Sequence, residues 1–344
     1  MPARQRIAQE IAARGGWISF ARYMELALQA YYSGGAPKFG PGGDFVTAPE
    51  LGTLFGRTLA RGLPFRRILE LGAGSGKLAQ TLLQELDCEY FILETSAALR
   101  ERQRERLGAR VTFLDRLPER FRGLILANEV ADALPVHLVA WTAQGIMERG
   151  VRLDAGAFAW EDRPAAGELL KEAEKIAVPV PYLSEIGLAA RAWMRSLADS
   201  LEEGLILVID YGFPRREFYH PQRRTGTLMC HYRHRAHGDP FYLPGLQDIT
   251  AHVDFSALAH SASDAGLEIL GFAGQAQFLV NCGIAGLLAQ LDASDVRRYA
   301  PVAAAANRLL SPAEMGELFK VLVVGRGVTH ALTGFAQGDR AHAL

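Results

Sequence analysis

The run ILELGAGSGKLA at 68–79 constrains the fold of this chain more than any other stretch. Ile68 to Leu71 read as a short buried strand, three glycines alternate at Gly72, Gly74 and Gly76, and a helix-compatible sequence follows. Glycine has no Cβ, so the backbone can turn sharply there and approach a ligand closely. A helix opening after such a turn aims its unpaired N–H groups at whatever is seated there. The expectation is a nucleotide-type pocket at the carboxyl edge of an α/β sheet.

The spacing separates the ligands that use such turns. A phosphate-binding loop needs G-x-x-x-x-G-K-[ST], but here Leu71 stands at the first glycine and Leu78 at the hydroxyl position. The dinucleotide fingerprint is G-x-G-x-x-G, whereas this chain has G-x-G-x-G preceded by Glu70. An acid followed by alternating glycines at the end of the first strand resembles class I methyltransferases that use S-adenosyl-L-methionine. The next strand ends at Glu94, an acid suited to two ribose hydroxyls.

Composition agrees with an enzyme of ordinary charge. The chain has 344 residues, 22% of them charged, and a net charge of −1, so no global field attracts nucleic acid or membrane. No apolar run approaches the ~18 residues that span a bilayer. The N-terminal MPARQRIAQEIAARGG mixes charge with small apolar residues and reads as a short helix, not a leader. Cys88, Cys230 and Cys282 are odd in number and far apart, which favours free thiols and a cytoplasmic location.

Strand-like and helix-like segments alternate as in a doubly wound sheet. Strands are expected at 67–72, 90–94, 111–115, 123–129 and 204–212, with 267–273 and 317–327 as a closing antiparallel pair. The charged stretch SAALRERQRERL reads as a solvated helix face. Gaps after the fourth and fifth strands exceed ordinary connections. The expected organisation is a helical or lid segment over 1–60, a methyltransferase domain over 61–330 and a tail over 331–344. Insertions at about 137–203 and 213–253 would form a substrate-side lobe.

Ligands in such sheets lie beyond the carboxyl ends of the strands. Asp115 is placed to accept from an adenine amino group, although a simple turn aspartate reads equally well. The fourth strand ends in ANEVADALPV (127–136), where Asn128, Glu129 and Asp132 gather three polar groups. Helix capping explains one of them; catalysis or substrate holding explains the set. In GPGGDFVTAPELGTLFG (40–56), Thr47 and Glu50 form a T-x-x-E capping box with Pro49 in the first turn. The glycine-rich arm before it is expected to fold over the ligand as a lid, with Asp44 or Thr47 at the methionine moiety. Upstream, Phe20, Tyr23, Met24, Ala27 and Leu28 share one helical face, as core packing or a lid hinge.

Six arginines and four of the nine histidines fall within 210–240. Cys230, His231, His234 and His237 match no standard zinc spacing, and one basic stretch in a neutral chain is a weak nucleic-acid signal. The preferred reading is a substrate-facing surface built on His231, Arg233 and His234 that binds carboxylates. Asp254 is expected to cap a helix ending at Gly266. His252 is either a proton acceptor or a structural histidine.

GGDFVTAPE, ILELGAGSGKLA, NEVADALPV, LVIDYGFPRREFYHP, GTLMCHYRHRAH and GLQDITAHVDF together resemble one family. It is the MidA-like family of S-adenosyl-L-methionine-dependent methyltransferases that includes the mitochondrial complex I assembly arginine methyltransferase. The resemblance runs from about residue 16 to 327. It implies a class I Rossmann-like fold and, for mitochondrial members, dimethylation of an arginine in a complex I subunit. A protein substrate, with no stable nucleic-acid partner and no membrane insertion, is therefore expected. Two departures stand out: Ala131 replaces an expected leucine, and the loop between Leu28 and Tyr31 is short. Arginine stays protonated in water, so its methylation calls for carboxylates that clamp the guanidinium and take a proton. Glu129 and Asp132 are the candidates. A small oxygen or nitrogen acceptor with a histidine base, and a binding factor without turnover, are the competing readings.

Overall fold

The computed structural model describes residues 2–34, 47–63 and 65–344. The glycine-rich arm and Asp44 lie outside the described residues. The chain opens with α1 (Ala3–Ala13), β1 (Trp17–Ser19) and α2 (Phe20–Ser33). Ser19 caps α2 by accepting from the Arg22 N–H at 3.2 Å. The expected face of α2 is buried from Phe20 through Leu28.

After α3 (Leu54–Gly62), the chain alternates through β2 (Arg67–Leu71), α4 (Lys77–Glu85), β3 (Glu89–Leu93), α5 (Ala97–Leu107), β4 (Thr112–Leu114) and β5 (Phe121–Asn128). A meander follows: β6 (His137–Thr142), β7 (Gly145–Asp154), β8 (Ala157–Pro164), α6 (Gly167–Glu174) and β9 (Tyr182–Ile186). Helix α7 (Leu188–Ser200) returns to β10 (Leu201–Phe213). Then come α8 (Arg215–Phe218), β11 (Met229–Tyr232), β12 (Arg235–His237), β13 (Asp248–Thr250), β14 (Val253–Asp254), α9 (Phe255–Asp264) and β15 (Glu268–Gly274). A helical insertion over 275–318 precedes β16 (Phe319–Arg326).

The core sheet has the order β15-β16-β10-β5-β2-β3-β4, with β14 beside β10. Only β16 runs against the rest, and it pairs antiparallel with both β10 and β15. This is the class I methyltransferase arrangement. From β2 the chain winds outward through β3 to β4, then crosses back to β5 on the other side. The crevice at that switch point, between the carboxyl ends of β2 and β5, is where such sheets bind ligands. Alternate strand residues feed two cores, Ile68 meeting α3 and α4, and Leu69 meeting α7 and α9. Burial on both faces explains why these strands read as continuous apolar runs.

A second sheet, β1-β7-β6-β9 with β8 on β7, forms the lobe over that crevice, and β12-β11-β13 adds a small third sheet. The lobe core joins Ile7, Phe20, Tyr23, Leu138, Val151 and Ile249, drawn from chain segments far apart in sequence. The described parts of 1–60 thus divide: residues up to Ser33 build the lobe, while α3 packs on the core sheet. Helix α7, expected within the insertion, buries Met194, Leu197 and Ala198 in the sheet core as a crossover helix. The final residues are packed too. Phe335 lies 5.3 Å from the Phe278 ring, and the Arg340 N–H donates to the Phe272 carbonyl at 2.6 Å.

Candidate functional site

The turn after β2 has left-handed backbone at Gly72 (φ 61°), Gly74 (φ 54°) and Gly76 (φ 77°). A Cβ on Gly72 would sit 3.2 Å from a Val130 methyl, a tight contact that adds to the strain of a left-handed backbone there. Gly72, Gly74 and the backbone between them line a cavity of about 540 Å³, together with Glu70, Glu94 and Thr47. Gly76 is the N-cap of α4 and packs near Gln103 instead.

Glu94 is held from two sides. It accepts from the Ser96 N–H at 2.9 Å and from the Gln103 amide at 3.0 Å. The same amide donates to the Gly74 carbonyl at 2.9 Å, so one buried side chain ties the glycine turn to the acid that ends β3. Glu70 accepts from the Tyr90 hydroxyl at 2.8 Å, and burial pushes its pKa up to about 7 despite that bond.

The predicted capping box does not form. Thr47 makes no side-chain cap on the single helical turn Ala48–Leu51, though it does line the cavity. Glu50 instead turns to Lys77 at 2.6 Å and to the Ser75 hydroxyl. A carboxylate gains more from an ammonium than from a backbone N–H at the start of so short a helix. Glu50 therefore braces the glycine turn.

Asp115 stands apart from these residues. Its side chain is 86% exposed, pairs with Arg100 at 2.6 Å and does not line the cavity. Strand β4 stops at Leu114, leaving Asp115 in the turn beyond.

The other half of the cavity starts at the end of β5. Glu129 has φ 56°, an uncommon conformation for a residue with a Cβ and one that costs of order 1 kcal/mol or more. Its carboxylate accepts from the Ala48 N–H and the Asn128 amide, each at 3.2 Å. Burial and the neighbouring Asp132 push it up to about 8. Asp132 accepts from the Tyr211 hydroxyl, and burial raises it to about 6. Beneath both, one oxygen of Asp210 accepts from the N–H groups of Val130 (3.1 Å), Ala131 (2.9 Å) and Asp132 (3.2 Å). Burial, then Asp132 and Glu129, hold Asp210 well above the usual carboxylate range.

His231 and His252 line the same cavity, whereas Arg233 and His234 stand exposed at the tip of the β11–β12 hairpin and do not. His252 sits between the rings of Tyr211 (5.2 Å) and Phe213 (5.3 Å), and burial drives it down to about 4. It is a neutral, weakly basic histidine. Cys230 is buried in the lobe core while its neighbour His231 reaches the cavity, so the Cys/His run does not converge. No group of three metal-ligating side chains occurs among the described residues. Nor is any described helix long and apolar enough to cross a membrane. Asp254 caps α9 as expected, accepting from the Ala257 N–H at 3.0 Å.

Sequence reasoning did not assign site roles to Tyr32, Gln103, Asp210, Tyr211 or Asp248. Gln103 carried a signal: it is the lone uncharged polar residue in RERQRER, and it is fully buried. The Tyr32 hydroxyl donates to Asp248 at 3.4 Å, and both line the cavity. Among the described residues, five carboxylates face this space, Glu70, Glu94, Glu129, Asp132 and Asp248, against one lysine, Lys77, already paired to Glu50. The site fits a nucleoside attached to a cation. A glycine turn and a fixed strand-end acid stand at one end, and the buried Asn128 Oδ1 lacks a partner among the described residues at the switch point.

Comparison with known proteins agrees. The family model for S-adenosyl-L-methionine-dependent methyltransferases matches residues 57–273. A superfamily member from Burkholderia thailandensis, solved with S-adenosyl-homocysteine bound, is 51% identical with a TM-score of 0.96, covering 99% of this chain and 96% of that one. A relative from Danio rerio, protein arginine methyltransferase NDUFAF7, is 29% identical over 93% of this chain and 86% of its own length. The Homo sapiens protein of that name is 28% identical over 88% and 79%.

Proposed function

This chain belongs to the S-adenosyl-L-methionine-dependent methyltransferase family, and from that premise we propose that its methyl acceptor is an arginine side chain of a protein. The observation that carries the proposal is the buried pair Glu129 and Asp132, raised to about 8 and about 6 beside the cofactor end of one cavity. Carboxylates whose pKa is lifted by burial lack a cation. A guanidinium seated between them supplies it, with two parallel N–H bonds that also fix its plane.

The cofactor supplies a methyl group on a positively charged sulfur, already activated for displacement. The chain contributes the rest. Glu129 and Asp132 hold the guanidinium and orient one nitrogen toward the methyl. Burial keeps Glu129 protonated more readily than an exposed carboxyl in the empty site; the incoming guanidinium favours its ionised form, and that carboxylate then receives the proton that the methylated nitrogen must lose. Tyr211 fixes Asp132, and Asp210 fixes the backbone that carries both acids. Neutral His252 is a poor base for a hydroxyl acceptor, which weighs against the small-molecule reading. The names of the 29% and 28% identical relatives support arginine as acceptor. A respiratory complex I-type subunit is the substrate class that the family resemblance points to.

The test is transfer of a labelled methyl from S-adenosyl-L-methionine into a lysate lacking this protein, followed by protein hydrolysis and separation of amino acids. Label in methylarginine is expected. Label confined to small molecules would transfer the claim to another acceptor class. Cofactor binding without any label would leave a binding factor.

A further inference from the structure

From Met229 to Gly238 the chain reads MCHYRHRAHG, without a single acid. The β11–β12 hairpin pairs His231 with Ala236 and Tyr232 with Arg235. The first pair lines the same cavity. Strand residues advance about 3.3 Å each, so the second pair and the tip stand within roughly 7 Å of that wall.

The tip is costly. Arg233 (φ 49°) and His234 (φ 60°) occupy the left-handed positions of a two-residue turn, where Asn-Gly is the favoured pair. Each such residue costs of order 1 kcal/mol. The Arg233 guanidinium lies 5.2 Å from the Tyr232 ring centroid, and the Tyr242 ring, 60% exposed, stands 6.4 Å from Tyr232. Exposed Met229 adds an apolar edge at the cavity wall.

Charge therefore reverses from floor to rim. Glu129, Asp132 and Asp248 face the interior, while Arg233 and Arg235 stand outside. The complementary ligand is a cation joined to an anion at a matching distance. Extended chain spans at most about 3.3–3.6 Å per residue, so an acid a few residues from the cation can reach the rim. We infer that the β11–β12 hairpin, through Arg233 and Arg235, docks an acidic residue close in sequence to the methylated arginine. This substrate preference rests on the arginine reading above.

The test uses synthetic glycine-rich peptides with a central arginine and either glutamate or lysine two and three positions away. Counterparts carry citrulline at the centre. Binding is read by fluorescence anisotropy on protein saturated with S-adenosyl-homocysteine. The glutamate-flanked peptides are expected to bind roughly three- to tenfold tighter than the lysine-flanked ones, the range for two solvent-exposed ion pairs. That preference should disappear in the double variant Arg233→Glu, Arg235→Glu. It should disappear equally in Arg233→Gly, Arg235→Thr, where glycine suits the turn and guards against misfolding. Equal affinity for both flanks in the unmodified protein, or a preference that survives both variants, overturns the inference. An acidic preference in peptides whose arginine and citrulline forms bind equally tightly upholds the docking surface and sinks the arginine reading alone.

Discussion

Asp210 Oδ2 lies 2.9 Å from the backbone nitrogen of Ala131 and accepts from the N–H groups on either side as well. A side chain on β10 thus sets the turn that follows β5, and with it the directions of Glu129 and Asp132. The Asp210→Asn variant keeps one accepting oxygen but brings an amide that cannot receive an N–H. We expect a loss of about 2 kcal/mol in urea unfolding, in line with an unsatisfied buried polar group. Transfer should fall at least about tenfold while cofactor affinity holds, as expected for misplaced catalytic groups. An unchanged rate would mean that the turn holds its own shape.

Glu129→Gln preserves size and the hydrogen bonds that the carboxylate accepts from Ala48 and Asn128. It removes the proton acceptor and half of the clamp. Cofactor binding by calorimetry should match the parent, and single-turnover transfer should drop by about 100-fold or more. Full activity would place the clamp elsewhere.

The raised carboxyls make the free protein sensitive to alkali. Glu129 rises from 4.5 to about 8 and Glu70 from 4.5 to about 7 on folding. A carboxyl that holds its proton more tightly when folded contributes fully below the unfolded pKa, and that contribution is lost as pH rises toward the folded value. His252, lowered from 6.5 to about 4, acts oppositely but only below about pH 6.5. The clear window is pH 6.5 to 8. There, stability of the cofactor-free protein should decline with pH by about 1–2 kcal/mol, and Glu129→Gln should remove most of the slope. Denaturation midpoints that stay level across this window would contradict the assignment.

Gln103 and Asp115 make a matched pair. Gln103→Ala removes the amide shared by Glu94 and the Gly74 carbonyl, and cofactor affinity should weaken about tenfold, the worth of one or two hydrogen bonds to a charged group. Asp115→Asn alters an exposed side chain whose partner is Arg100, and affinity should not move. The opposite ranking would return Asp115 to the adenine site.

What was legible in the sequence was local. The glycine turn, Glu70 and the acid at Glu94 follow from one strand–turn–helix–strand stretch, and its residues touch one another in the fold. The alternation of strands gave the doubly wound order for the same reason. Glu50 was misread because its partners, Ser75 and Lys77, lie about 25 residues on, while the local capping pattern offered a nearer and weaker bond. Tyr211 and Asp132 are 79 residues apart, and no periodicity in either strand announces their contact. The lobe was visible only as overlong gaps. Its sheet depends on a three-residue strand at Trp17–Ser19 finding its place beside Gly150–Arg152.

That last pairing sets an order of events during synthesis. The segment through Ser33 is made before its sheet partner on β7, which follows more than a hundred residues later. The apolar face of α2 must wait, uncovered, while the cofactor-binding strands are made and paired. Closure of the lobe therefore waits on β7, and the core sheet beneath it waits longer still, for β10 and β16.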